Sequence, residues 1–204
     1  MNTQHMIYIV DDDAGFRKSL VWMLENEKLT CCAVESAAEF LSLSKANCPS
    51  CLILDMYMPG MAGMELLNEM STRPGLLMPV IVLTGVGSIA SAVQSMKLGA
   101  RDFLEKPIDH QDLLQKVHQA LANDAANRER ADQMAEMRQR ISQLTQRERQ
   151  VLTLLCEGNS SKQMGVKLNI SAKTISIHRW HLMKKMGAAS ATEAVQFALR
   201  AGAA

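Results

Sequence analysis

The chain has 204 residues, 48% hydrophobic and 21% charged. No apolar run approaches the ~20 residues needed to cross a bilayer, and no basic-then-apolar N-terminal stretch resembles a signal peptide, so a cytoplasmic protein without membrane contact is expected. The overall charge of +1 conceals a polarity that argues for two domains: residues 1 to 120 carry 14 acids and 9 bases (net −5), residues 121 to 143 carry 4 and 4, and residues 144 to 204 carry 3 and 9 (net +6). An acidic first part has no reason to approach polyanions, whereas the basic tail has the footprint of a nucleic-acid-binding domain or of a merely well-solvated surface.

Ile7-Tyr8-Ile9-Val10, Leu29 to Val34, Cys51-Leu52-Ile53-Leu54, Val80-Ile81-Val82-Leu83 and Asp102-Phe103-Leu104 are short, strand-like runs. Their near-continuous apolarity fits parallel strands buried on both faces. Helix-length segments lie between them, at 14 to 26, 36 to 44, 63 to 70, 88 to 98 and from 109 onward. Strict alternation predicts a doubly wound α/β domain with right-handed crossovers. Ser36-Ala37-Ala38-Glu39 reads as a capping box and Gly99 as a helix stop. Cys48-Pro49-Ser50-Cys51 has redox or zinc spacing, but the odd total of five cysteines and the apolar strand at Cys51 favour plain core thiols.

Residues 109 to 121 keep Leu113, Leu114, Val117 and Leu121 at helical spacing, and residues 128 to 140 are mostly polar. Met134, Met137, Ile141 and Leu144 form a narrow apolar seam, suited either to a dimer contact or to resting on one of the chain's own domains. In the tail, Thr145-Gln146-Arg147-Glu148, Ser160-Ser161-Lys162-Gln163 and Ser190-Ala191-Thr192-Glu193 each match the capping box. A further helix starts after Ser171, and Gly158 and Gly187 are natural stops. Only Asn169-Ile170-Ser171 joins the second and third of these helices, which gives a helix-turn-helix.

The chemistry gathers at one sheet edge. Asp11-Asp12-Asp13, Asp55, Thr84 and Lys106-Pro107 each lie at or just past the end of a strand-like run, where open α/β sheets place their sites. Singly, an acidic run is a solvated turn or cap and Lys-Pro marks any loop. Together they suit magnesium-dependent phosphorylation of a carboxylate. Mg²⁺ takes oxygen ligands and binds through one or two carboxylates plus phosphate. Asp55 is the expected nucleophile, Asp12 and Asp55 the direct metal ligands, and Asp11 a ligand through water. Lys106 would neutralise one phosphoryl oxygen, and Thr84 would hydrogen-bond another.

Residues 5 to about 122 resemble the receiver domain of two-component response regulators. The matches are Ile9-Val10-Asp11-Asp12-Asp13, Leu54-Asp55 through Met58-Pro59-Gly60 to Gly63, Val82-Leu83-Thr84-Gly85 and Phe103-Leu104-Glu105-Lys106-Pro107. The resemblance implies a flavodoxin-like fold, a sensor histidine kinase as phosphodonor to Asp55, the Tyr57 carbonyl as a further metal ligand and Phe103 as the switch aromatic. Leu144 to Arg149, Gly158 to Lys162, Ile170 to Arg179 and Lys184 to Ala188 resemble the LuxR-type helix-turn-helix, and the two together resemble the NarL/FixJ group. The expected organisation is a receiver at 1–122, a helical linker at 123–142 and an all-α DNA-binding domain at 143–204.

Residues 172 to 186 would be the recognition helix. Ile175, Leu182 and Met186 fall on one face, and Lys173, Ser176, Ile177, Trp180 and Lys184 on the other. By position in the family, Ser176, Ile177 and Trp180 would reach base edges of double-stranded DNA, and Lys162, Lys173, Thr174, His178, Arg179 and Lys184 would hold phosphates. Trp180 departs from the smaller or more polar residues usual there; it would stack on thymine methyls or pack against a neighbouring domain. The leading expectation is a phosphorylation-switched transcription regulator whose unphosphorylated receiver either masks the helix-turn-helix or fails to pair; the resemblance implies a homodimer face around Ile89 to Leu104. Two other readings stand beside it. One is an aspartyl-phosphate phosphotransferase, although Tyr57 occupies the place where such enzymes carry a second carboxylate. The other is a DNA binder whose receiver is a phosphorylation-independent dimerisation scaffold.

Overall fold

In the computed structural model, which describes residues 5–73, 76–85 and 89–202, the five apolar runs pair as one parallel sheet. The strands are β1 (Met6–Val10), β2 (Cys31–Val34), β3 (Ser50–Asp55), β4 (Val80–Thr84) and β5 (Asp102–Glu105), in the order β2-β1-β3-β4-β5. Helices α1 (Ala14–Asn26), α2 (Ala37–Ser42), α3 (Gly63–Thr72) and α4 (Ile89–Lys97) join them, and α5 (His110–Ser142) follows β5. Ser88, where the fourth helix was expected to start, lies outside the described residues, as do the side chains of residues 89–92 in the expected dimer face.

Side chains alternate faces along a strand, and both faces are buried. Tyr8, Val10, Leu52, Leu54, Val80 and Val82 face one core with Phe40 of α2 and Leu66, Leu67 and Met70 of α3. Ile7, Ile9, Cys51, Ile53, Ile81 and Leu83 face the other with Leu20 and Leu24 of α1 and Leu113, Val117 and Leu121 of α5. Covering both faces explains why these strands lack the apolar and polar alternation of a half-exposed sheet. All five cysteines are free thiols. Burial pushes the thiols of half-buried Cys31 and buried Cys51 up to about 12, so at neutral pH both stay protonated.

Two compact units divide between Arg128 and Glu129, inside the stretch expected as linker. Residues 123–128 are fastened to the sheet. Asp124 is 4% exposed, and its Oδ2 accepts from the Ser50 N–H at the foot of β3 (2.8 Å) and from Arg128 Nε (2.7 Å). In the second unit the end of α5 rests on its own domain. Met137 and Ile141 pack against the cluster formed by Leu144, Val151, Leu152, Met164, Ile175, Leu182, Met186, Ala194 and Ala198.

That cluster is enclosed by α6 (Gln146–Cys156), α7 (Ser161–Leu168), α8 (Ala172–Met186) and α9 (Ala191–Ala201). Thr145 and Ser160 form complete capping boxes with Glu148 and Gln163. Ser36 and Ser190 do not, contrary to expectation: each hydroxyl accepts from the N3 amide, but the glutamate bonds one residue earlier, to the N–H of Glu35 (3.2 Å) and Ala189 (2.7 Å). The cap backbone decides this. Thr145 and Ser160 have φ of −65° and −71°, whereas Ser36 and Ser190 have −148° and −146°, which turns their own N–H away. Between α7 and α8, Asn169 adopts the left-handed conformation (φ 54°), and a Cβ on Gly165 would stand 2.8 Å from the Ile170 carbonyl oxygen, so the turn closes onto a glycine.

Glu148 is the electrostatic anchor of this unit. It is 3% exposed, and its Oε2 accepts from the Thr145 N–H and from Lys185 Nζ on α8, both at 2.7 Å. Burial works to raise its pKa, but the bonds from Lys185 and Thr145 outweigh burial and hold it below the usual glutamate value. A depressed acid stabilises the fold above its unfolded pKa, about 4.3, and that stability is lost as pH falls through the lower, folded value. Glu148→Gln should therefore lower the stability of this unit by about 1–2 kcal/mol at pH 7 and flatten its loss on acidification below about pH 4.3. Urea titration followed by Trp180 fluorescence in a Trp22→Phe background checks both.

Candidate functional site

Sheet register carries the expected site residues to one edge. Val10 pairs with Leu54, Asp55 with Leu83 and Thr84 with Glu105, so Asp11, Asp55, Thr84 and Lys106 end neighbouring strands in a staggered row. The reversal of winding between β1 and β3 opens the crevice there, where ligands of open α/β sheets bind. The Met56 N–H donates to the Leu83 carbonyl (3.0 Å) and the Lys106 N–H to the Thr84 carbonyl (2.8 Å), extending the ladder one step beyond the strands. The Lys106–Pro107 peptide is cis.

Asp11 is fully buried and Asp55 is 6% exposed, while Asp12 is exposed. Carboxylate oxygens of the three lie within 4.8 Å of one another. Lys106 Nζ bridges two of them, at 2.7 Å from Asp11 Oδ2 and 2.8 Å from Asp55 Oδ2. Burial pushes the Asp11 carboxyl up, and bonds from Lys106 and the Asp13 N–H offset part of that rise. Burial opposes the Lys106 charge, yet its bonds to Asp11 and Asp55 hold its pKa above the usual lysine value. The other Asp55 oxygen, Oδ1, accepts from the Tyr57 N–H at 3.2 Å. Three clustered carboxylates form a hard oxygen donor set, which fits a small divalent cation such as Mg²⁺.

Thr84 is fully buried at the end of β4. Phe103, paired in register with Val82, is half-buried against the first core. Several contributors had weak sequence signals. Phe16 lies under Lys106, with Nζ 4.0 Å from its ring centroid. Arg17 Nη1 donates to the Asp11 carbonyl at 2.6 Å. Asp13 caps α1 by accepting from the N–H groups of Gly15 (2.8 Å) and Phe16 (3.0 Å), the structural use of the third acid in the run. Only that last role was readable, because an aspartate before a helical stretch is a standard cap.

The second cluster lies on the helix-turn-helix. Ile175, Leu182 and Met186 of α8 are fully buried, while Lys173, Ser176, Ile177, Trp180 and Lys184 are exposed, as the helical period requires. Lys162 on α7 is exposed, and Thr174 and His178 are half-buried. Arg179 Nη1 donates to Ser161 Oγ at 2.8 Å, tying the two helices. Lys184 Nζ stands 5.1 Å from the Trp180 ring. Between Ser161 and Met186 there are six Lys or Arg and no acid. Lys167 and Lys185 turn to Glu157 and Glu148, leaving Lys162, Lys173, Arg179 and Lys184 to give this surface its charge.

Comparison with known proteins matches a domain to each of the two units. Residues 7–118 match the response regulator receiver domain, and residues 142–198 match the bacterial regulatory proteins of the luxR family. The chain is 42% identical to the transcriptional regulatory protein FixJ of Azorhizobium caulinodans, over 97% of this chain and 93% of that one. It is 37% identical to FixJ of Bradyrhizobium diazoefficiens, over 99% and 98%. Among solved structures, the response regulator StyR superposes with a TM-score of 0.85 at 32% identity, covering 97% of this chain and 99% of that one. Full-length FixJ from B. japonicum superposes with a TM-score of 0.58 at 35% identity, covering 98% of each.

Among the described residues no helix is long and apolar enough to cross a membrane. The tightest backbone approach beside the site is at Gly63, where a Cβ would stand 2.5 Å from the Asp55 carbonyl oxygen and 2.9 Å from Met56 Cα. Neither atom is a flexible side-chain end, so the loop from Asp55 to Gly63 would have to move. Gly63→Ala should destabilise the first unit by about 1–3 kcal/mol, measured by urea titration with Trp22 fluorescence in a Trp180→Phe background.

Proposed function

The chain belongs to the two-component response regulators of the NarL/FixJ group and is a phosphorylation-regulated transcriptional regulator; on that premise we propose that Asp55 accepts the phosphoryl group and α8 carries DNA recognition. The observation that supports this most directly is the bridging of Asp11 and Asp55 by Lys106 beside exposed Asp12. It assembles a nucleophile, a cation-binding edge and a charge-neutralising amine in one crevice.

The donor is a cognate sensor histidine kinase. An Asp55 carboxylate oxygen attacks phosphorus, the bond from phosphorus to the donor imidazole nitrogen breaks, and that nitrogen keeps the electron pair. Asp12, Asp55 and the Tyr57 carbonyl would hold Mg²⁺, with Asp11 contributing through water. When bound, the ion screens the repulsion between the carboxylate and the incoming phosphoryl group. Lys106 neutralises one phosphoryl oxygen, and the Thr84 hydroxyl donates to another. Drawing Thr84 towards the phosphoryl group makes room for Phe103 to turn inward, and the equilibrium shifts to a state that pairs through the surface around α4 and β5. Residues 1–122 act as the receiver, 123–142 as the linker and 143–204 as the DNA-binding domain, in the cytoplasm.

On double-stranded DNA, Ser176, Ile177 and Trp180 face the base edges, and Lys162, Lys173, Thr174, His178, Arg179 and Lys184 face phosphates. A homodimer would then span two half-sites about one helical turn, or a multiple of it, apart.

Intact mass after incubation with acetyl phosphate and Mg²⁺ should show one phosphoryl addition, absent in Asp55→Asn and without Mg²⁺; an Asp55→Asn protein that still gains it would place the acceptor elsewhere. Phosphorylation should tighten DNA binding in the wild type alone. Lys162→Ala and Lys173→Ala should weaken binding uniformly across sequences and reduce the salt slope by about 1 each, read from filter binding across a salt series.

A further inference from the structure

Base sequence in the major groove is read by three kinds of group: forked donors on guanine, amides on adenine, and apolar atoms on the thymine methyl. On this helix-turn-helix the one arginine and the carboxamides are engaged within the fold, while Lys173 and Lys184 stay exposed. Gln163 is the carboxamide of the α7 capping box, where Oε1 accepts from the Ser160 N–H (2.8 Å) and hydroxyl (2.9 Å). Asn169 is the left-handed residue that ends α7. Arg179 is bonded to Ser161, and Ser176 donates its hydroxyl back to the Ala172 carbonyl at 3.1 Å. No Asn, Gln, Asp or Glu lies between Ala172 and Met186.

Among the lysines, the outward face of α8 carries two large apolar side chains. Ile177 is 51% exposed and Trp180 55% exposed, one helical turn apart on the face opposite its buried residues. Large apolar groups exposed on a helix that is otherwise basic and acid-free gain little in water. Lys184 lies over the indole, 5.1 Å from its centroid, and His181 meets it edge-on with ring centroids 4.9 Å apart. The surrounding positive charge selects a polyanion, and the apolar pair selects what is read on it.

We propose, resting on the DNA-binding reading above, that Trp180 and Ile177 are specificity-determining residues that recognise thymine C5-methyl groups in the major groove. Sequence preference then comes from methyl burial rather than from hydrogen bonds to guanine or adenine. The lysines set affinity without setting sequence. The operator half-site carries thymine at the steps facing Trp180 and Ile177.

The test uses the full chain, treated with acetyl phosphate and Mg²⁺, to select from a pool of random-sequence duplexes. The selected duplex is then resynthesised with deoxyuridine in place of each thymidine in turn, which removes the methyl and leaves every hydrogen-bonding group and phosphate. The expected result is an affinity loss of about fourfold for each contacted thymine, the equivalent of one buried methyl. In Trp180→Ala the loss should vanish at the step that Trp180 faces and persist at the step facing Ile177. The indole is half in solvent, and an unchanged circular dichroism spectrum would verify the variant's fold. Equal binding of the thymidine and deoxyuridine duplexes by the wild type overturns the proposal while leaving DNA binding intact. So does a Trp180→Ala variant that keeps the full discrimination. Failure to retain any duplex overturns the DNA-binding reading and the proposal with it.

Discussion

The contact on which the first unit depends is the ammonium of Lys106 shared between Asp11 and Asp55. Both carboxylates stand at the rim of a core that is otherwise apolar, and oxygens of these two and of Asp12 lie within 4.8 Å of one another. Without a cation between them such a site would be self-repelling, and removing one partner of a buried pair costs about 3–5 kcal/mol. Placing the charges at strand ends limits that cost, because the strands remain dry while the charges meet the solvent-facing crevice. The opposite end of β3 is fixed by a second charged contact, Asp124 between the Ser50 amide and Arg128. The central strand is thus held at both ends by side chains from distant parts of the chain.

In the second unit the economy of acids is what makes the surface basic. Residues 144–204 contain three carboxylates. Glu148 closes the α6 cap and binds Lys185, Glu157 accepts from Asn159 and Lys167, and Glu193 accepts from the Ala189 amide. Each is engaged at a helix end. The face formed by α7 and α8 is therefore acid-free as a by-product of capping, and the net +6 is concentrated on it. The same capping takes up the side-chain oxygen of Gln163, so Ile177 and Trp180 share the outer side of α8 with Lys173, Ser176 and Lys184.

Much of this was legible in the residues. Strands buried on both faces announce themselves as short, unbroken apolar runs, and the site followed because Asp11, Asp55, Thr84 and Lys106 each mark a strand end. The helix-turn-helix was readable from hydroxyls followed three positions on by Glu or Gln. What was not legible depended on backbone angles and long-range packing. Ser36 and Ser190 carry the capping-box pattern, but the reciprocal bond depends on the φ of the cap, which the pattern does not specify. Lys28 takes a left-handed φ of 60° to end α1, a conformation that lysine composition does not signal. Arg17, Phe16 and the Asp124–Ser50 contact join residues by tertiary placement alone.

The long helix α5 shows how an element can be continuous while its stability comes from different sources along its length. Up to Arg128 it is held by burial, with Leu113, Val117, Ala120 and Leu121 in the core and Asp124 bonded to β3. From Met137 its apolar residues pack on the cluster around Leu144. Between these, residues 129–136 are exposed at every position. Bonds from Gln133 to Glu129 (3.3 Å) and from Arg140 to Glu136 (2.7 Å) span that stretch. Side-chain pairs four apart contribute only about 0.2–0.5 kcal/mol each, and an isolated helix shorter than ~12–15 residues is marginal in water. This stretch therefore stays helical because the anchored turns on either side propagate through it. A change that loosens either anchor, at Asp124 or at Met137 and Ile141, is therefore felt first in these two turns.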